Sequence, residues 1–199
     1  MSSPLTVDLF VEDRAHEEFL KAMLRRIAAE QERSLSVRVR SARGGHPRVL
    51  EELTLYQKSV LKAPESLSMP DLLVIAIDAN CKRWNGARKE IQVTIQSQFA
   101  QLSVVACPDP HIERWYLADP DSFAQVVGIR PTVGKRKCER DRYKAILSKA
   151  IVDAGHPVTL GGIEFAQELV AAMDFYRAGK TEGSLKHFLD ETIAHIKTL

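Results

Sequence analysis

Glu12 follows the apolar run Leu5-Thr6-Val7-Asp8-Leu9-Phe10-Val11, where a helical pattern begins, and Asp78 stands at the same point after Leu72-Leu73-Val74-Ile75-Ala76-Ile77. In an open α/β sheet the carboxyl ends of parallel strands form the ligand crevice, so acids at the ends of neighbouring strands converge there. Two such carboxylates, with the Asn80 amide two residues further on, form an oxygen-rich set suited to Mg2+ or Mn2+. An ion of that kind withdraws charge from a phosphoryl group and activates water, which points to metal-assisted phosphate chemistry. The competing reading is that strand-end acids only cap the helices that follow, a role open to Asp13 or Asp78.

The elements needed to position these acids are legible as periodicities. Phe19, Leu20, Met23, Leu24, Ile27 and Ala28 recur on one face of a helix over 14–32. Leu35, Val37 and Val39 alternate with Ser36, Arg38 and Arg40, as in an edge strand with one wet face. A second helix is expected over 46–62, a fully buried strand over 71–77, a third helix over 88–99 and a fourth strand over 102–106. Strand and helix in alternation predict an α/β fold with a parallel, doubly wound sheet. The simplest order, 2-1-3-4, puts Glu12 and Asp78 on adjacent strand ends. Beyond 111 only helices are expected, over 111–118, 120–127, 141–154, 163–178 and 184–197. The chain therefore divides into an α/β domain, 1–125, and a helical appendage, 126–199, packed on the same core.

Composition narrows the partners. With 45% hydrophobic and 27% charged residues the 199-residue chain reads as globular rather than disordered, and its apolar runs fall well short of the roughly 20 residues of a membrane helix. The first residues lack the basic and apolar regions of a signal peptide, so a cytoplasmic location is expected. Cys81, Cys107 and Cys138, odd in number and widely spaced, suit reduced thiols. Net charge is only +2, but residues 130–144 carry seven cations against two acids, leaving the rest of the chain at minus three. Lys135, Arg136, Lys137, Arg140, Arg142 and Lys144 could thus track a nucleic-acid backbone, or simply form a solvated loop. Arg43, before Gly44-Gly45, could add a phosphate contact at the start of the second helix, or the segment is an ordinary turn.

Several alternatives fail on spacing. The stretch from Gly128 to Arg136 has one residue too many between its glycines for a phosphate-binding loop, and has Arg136 where Ser or Thr must meet the metal, which excludes nucleotide hydrolysis. His111 and His156 have no zinc-type spacing to Cys81 or Cys107, so local structural roles suffice for the histidines. No nucleophile elbow occurs.

Glu12 after strand one and Asp78-Ala79-Asn80 after strand three resemble the Toprim pattern, a Glu in the first strand-helix turn and an Asp-x-Asp after the third strand. Residues 11–17 and 108–119, the latter reading Pro108-Asp109-Pro110-His111-Ile112-Glu113-Arg114-Trp115-Tyr116-Leu117-Ala118-Asp119, are similar to small bacterial Toprim proteins related to the nuclease domain of overcoming-lysogenization-defect proteins. The resemblance spans roughly 5–125. It implies a four-stranded, mainly parallel Toprim-like sheet and a Mg2+- or Mn2+-dependent nuclease acting on DNA or RNA. Glu12 is then general base or metal ligand, Asp78 a metal ligand, and Glu113 the acid of a later motif. It also implies an ABC-type or related ATPase partner in phage defence. Asn80 departs from the second Asp of the pattern, and Asp13 stands where Gly is usual. A non-catalytic subunit binding an ATPase or nucleic acid on the same sheet is the alternative, with a receiver-like or flavodoxin-like regulatory domain behind it. A homodimer through the C-terminal helices is weighed evenly against helices packed within their own chain.

Overall fold

A computed structural model describes residues 3–41, 45–139 and 141–199. The sequence-predicted helix-strand alternation is realised as β1 (Leu5–Val11), α1 (Arg14–Glu30), β2 (Leu35–Ser41), α2 (His46–Lys62), β3 (Leu72–Ala76), α3 (Arg83–Gln92), α4 (Ser97–Ala100) and β4 (Ser103–Ala106). Helices α5 (Glu113–Tyr116), α6 (Pro120–Val127), α7 (Arg142–Asp153), α8 (Ala166–Ala172), α9 (Phe175–Thr181) and α10 (Gly183–Thr198) complete the chain. The four strands form one all-parallel, Rossmann-like sheet in the order β2-β1-β3-β4.

The period-two alternation of the strands sorts their side chains into two apolar clusters. Val7, Leu9, Val11, Leu72, Val74, Ala76, Val104 and Ala106 pack with α1 and with residues of α5 to α10. Phe10, Leu73, Ile75, Ile77 and Val105 pack with α2, α3 and Phe99. Asp8, on the second face, is fully buried. Its register partner Arg38 on β2 donates to it through Nε (2.6 Å) and Nη2 (3.0 Å), and the Tyr56 hydroxyl adds a third bond. The polar face of the edge strand is therefore spent in part on a buried carboxylate, as a buried charge requires.

Two expected helices are broken. The third begins at Arg83 and ends at Gln92, because the buried Gln57 amide replaces helical hydrogen bonds there, accepting from Gln96 N (2.7 Å) and donating to Thr94 O (3.0 Å). The helix expected over 163–178 splits into α8 and α9. The Arg26 guanidinium takes the Val170 and Met173 carbonyls, both at 2.6 Å, and Asp174 caps α9 by accepting from Arg177 N. Arg26 also stacks on Phe175, 4.0 Å from the ring centroid, and so ties α8 and α9 to α1.

The expectation of reduced thiols is corrected: Cys81 and Cys138 form a disulfide across 57 residues, and Cys107 alone is free and buried. Sequence spacing could not reveal this pair, because only the return of the segment carrying Cys138 to the turn that follows β3 brings the two cysteines together. A loop of this size is worth about 4 kcal/mol in the chain-entropy account. Replacing both cysteines by serine is expected to lower chemical-denaturation stability by up to that amount, with the difference from the native chain vanishing in reducing buffer. Such bonds favour oxidising surroundings, which bears on the expected compartment. No helix among the described residues is long and apolar enough to cross a membrane.

Candidate metal centre

The chain leaves β1 at Val11, and Asp13 caps α1 by accepting from His16 N at 3.0 Å. This turn holds Glu12 over the carboxyl end of β1, and the first turn of α1 brings the His16 ring to within 4.8 Å of it. Next door, the end of β3 is tied to the end of β4, with Ala79 N donating to Pro108 O (2.8 Å) and Asn80 N to Pro110 O (2.9 Å). Asp78 thereby faces Glu12 across adjacent strands, and Glu12 Oε2 accepts from Asp78 N at 3.2 Å.

Glu12, His16 and Asp78 each offer a ligand atom, all within 4.8 Å of one another. His16 is fully buried between two acids. Its Nδ1 lies 2.8 Å from Asp13 Oδ1, and because an ionised carboxylate only accepts, the ring donates from Nδ1. Nε2 then faces Asp78 Oδ1 at 3.1 Å. These two atoms are misaligned for a hydrogen bond, so both are buried without a hydrogen-bond partner. When His16 is protonated the two form an ion pair that lacks the alignment of a hydrogen bond, and a cation held by both atoms would take the place of that proton. A carboxylate that holds the far nitrogen of a histidine is also the usual support for a metal-ligating imidazole.

Electrostatics describe a crowded acidic site. Burial and the neighbouring Asp78 carboxylate push Glu12 up. Asp78, itself desolvated, is held low by His16 and His111. Burial favours the neutral imidazole of His16, but Asp78 and Asp13 outweigh it and raise its pKa well above the ordinary value. The His16 bond brings Asp13 down to about 2 despite partial burial. Burial, with Asp78 adding, raises Glu113. A divalent cation would relieve the mutual repulsion of these carboxylates.

Glu113 is held nearby by the three residues that follow it, each buried and each bonded to a different part of the chain. Arg114 Nε donates to Glu182, Trp115 Nε1 to Ser184 Oγ (2.9 Å) and the Tyr116 hydroxyl to Ala15 O (2.8 Å). Glu113 lines a small cleft with Asp13 and Lys144.

The other expected residues are distributed differently. Asn80 is exposed with φ 51°, and its Nδ2 donates to the Asp78 main-chain carbonyl (3.3 Å), which turns the amide toward backbone. His16, absent from the expected set, completes the cluster instead; its spacing four after Glu12 and three after Asp13 is the signal that could have found it. His111 also has more than a local role, its Nδ1 lying 3.2 Å from Asp78 Oδ2. Arg43 and Arg140 lie outside the described residues. Gly45, at φ 77°, starts α2 beside Glu12: a Cβ there would lie 3.8 Å from Glu12 Oε1. In the basic segment Arg136 is bound to Asp109, and Lys137 and Arg142 pair with Glu139. Lys135 and Lys144 have no acid partner among the described residues. The Cys81–Cys138 disulfide fastens this segment beside Asn80.

The chain matches no protein-family model, no curated protein and no solved structure.

Proposed function

We propose that the chain is a metal-dependent phosphodiesterase, a nuclease acting on DNA or RNA. The observation that carries this reading is the meeting of Glu12 and Asp78, from separate parallel strands, with His16 in one group whose ligand atoms lie within 4.8 Å. Two carboxylates suit Mg2+ or Mn2+, and the imidazole shifts the preference toward Mn2+. When bound, such an ion polarises a phosphoryl oxygen and makes water a better nucleophile. Glu12, Asp78 and His16 hold it, while Asp13 keeps the His16 ring turned with Nε2 toward the site. Glu113, whose carboxyl is raised by burial, accepts or returns a proton at the edge of the cluster. His111 steadies Asp78 from the solvent side. By its resemblance to the phage-defence nucleases, the protein works with a partner ATPase, a pairing that an ATPase gene next to its own would support.

The test is cleavage of labelled single- and double-stranded DNA and RNA by the purified chain. Products are expected with Mn2+ or Mg2+ and not with chelator, and Glu12→Ala is expected to yield none. Cleavage by that variant at the native rate refutes the assignment. Calorimetric titration showing no binding at millimolar Mn2+ or Mg2+ instead supports a non-catalytic binding subunit. Asp13→Asn, which weakens the grip on His16, is expected to reduce Mn2+ affinity about 10- to 100-fold in the same calorimetry.

A further inference from the structure

Beside the candidate centre a cleft of about 680 Å3 runs between α1 and α8. Its floor is aliphatic, with Leu160, Ile163 and Val170, and its α1 wall carries Arg14, Lys21 and Arg25. Arg14, Leu160 and Ile163 also line the smaller cleft of about 180 Å3 that contains Asp13, Glu113 and Lys144. The two clefts therefore adjoin through these shared walls, with Asp13 and Glu113, the acids next to the candidate centre, at one end and a row of cations along the larger cleft.

We propose that this groove is the track for an unpaired nucleic-acid strand, delivering its backbone to the Glu12-Asp78 centre. The inference deepens the nuclease reading and rests on it for the direction of travel. Charge and spacing select the occupant. Residues 14, 21 and 25 are separated by seven and four positions, so their cations recur about 10 Å and 6 Å apart along the helix axis. Such a ladder meets a polymer with a regularly repeated anion. Two of the three pair with acids of their own helix, and a phosphate would have to displace those partners. Arg14 is exposed and only 3.5 Å from Glu18, Lys21 has the partly exposed Glu17, and Arg25 has no acid partner among the described residues. The exposed Arg14–Glu18 pair is worth little, whereas Lys21 and Glu17, each 25% exposed, hold one another more firmly. Glu164, the other acid of the lining, already accepts from Thr159 N and Gly162 N. Arg26, committed to the carbonyls that end α8, builds the wall instead of binding ligand. No aromatic side chain among the described residues lines the groove, so the strand is held by phosphates and by sugars against the aliphatic floor, with little dependence on base.

The test is fluorescence anisotropy of a labelled mixed-sequence single strand, DNA and RNA separately, in chelator and over a series of salt concentrations. Lys21→Gln/Arg25→Gln is compared with the native chain and with Lys135→Gln/Lys137→Gln. Loss of two phosphate contacts is expected to weaken binding roughly tenfold at low salt and to make the slope of log affinity against log salt shallower by about 1.4. Arg25, Lys135 and Lys137 are exposed and Lys21, 25% exposed, keeps its length and a polar end as Gln, so circular dichroism and Mn2+ titration should stay native. An unchanged slope in the groove variant overturns the proposal, as does loss confined to the loop variant or equal competition by poly-glutamate. Chelator removes catalysis from the measurement. If strand binding needs Lys21 and Arg25 but no cleavage or metal binding is found, the nuclease reading fails and the groove stands; cleavage with native strand affinity in the groove variant gives the reverse.

Discussion

Glu12→Gln is expected to lower the rate of nucleic-acid cleavage about a thousandfold or more while leaving the fold as stable as the native protein or more so. The substitution keeps the side-chain volume, and its amide oxygen can still accept from Asp78 N, now at 3.2 Å from Glu12 Oε2. What it removes is one negative charge from a crowded site. That charge is unfavourable in the metal-free protein, since burial and the adjacent Asp78 both raise the Glu12 pKa. Deleting it relieves repulsion, so the melting temperature should hold or rise. Losing a ligand from a site that stabilises transition-state charge costs several kcal/mol, and each 1.36 kcal/mol is a factor of ten in rate. Asp78→Asn should separate from it. That change removes the ion-pair partner at Nε2 of the fully buried His16 imidazolium and leaves it Asp13 at Nδ1 and the less closely placed Glu12, so activity and stability fall together. A Glu12→Gln variant that melts well below the native protein would show that Glu12 serves the fold, and a variant that still cleaves would remove it from the reaction. The contrast within the pair is informative because functional carboxylates are commonly held at the expense of stability.

The second large effect is expected at the buried pair Arg114–Glu182, which joins α5 to the start of α10. Arg114 is 8% and Glu182 5% exposed, and Arg114 Nη1 also donates to the Tyr143 hydroxyl at 3.0 Å. The two partners point in different directions: burial opposes the Arg114 charge but the Glu182 carboxylate outweighs it, whereas burial raises Glu182 to about 7 in spite of Arg114. Guanidinium remains charged in any case, so the carboxyl is the group that adjusts, and the upward shift of Glu182 is the one that follows from its burial. Glu182→Leu strands a buried cation and is expected to cost about 3–5 kcal/mol. Arg114→Met should cost less, because Glu182 can take up a proton, and the double variant should recover most of the loss. Urea denaturation of the three variants closes the cycle; additive losses would show that the contact contributes nothing. The pH dependence has a definite sign. A carboxyl whose folded pKa exceeds its unfolded value binds a proton more tightly when folded, so its contribution is present in full below about 4.5 and fades as pH rises to about 7. Across that window native stability is expected to fall by on the order of 2–3 kcal/mol relative to Glu182→Gln. Because α5 begins at Glu113, loss of this anchor should also loosen that acid at the candidate centre.

Much of the architecture follows from local pattern. Alternation at period two in β1 and β2, the unbroken apolar run of β3 and the helical stripe of α1 each state how their side chains must be buried, and the parallel order β2-β1-β3-β4 follows from connecting such units with the usual crossovers. That order sets Glu12 beside Asp78, and Asp13 caps α1 as its residue type and position imply. These features are fixed by neighbours in the chain or by one generic rule of sheet topology. Other features depend on groups distant in sequence, whose meeting no local periodicity encodes. Gln57 breaks the third helix from α2, Arg26 ends α8 from α1, and the segment before α7 returns to join Cys138 to Cys81. His16 illustrates the boundary: its place on α1 is local, but its partnership with Asp78 exists only because β1 and β3 are neighbours. The sequence alone thus determined the sheet and the two acids at its rim. Only the packed molecule decided their companion, since burial of an imidazole between carboxylates is a property of three segments at once.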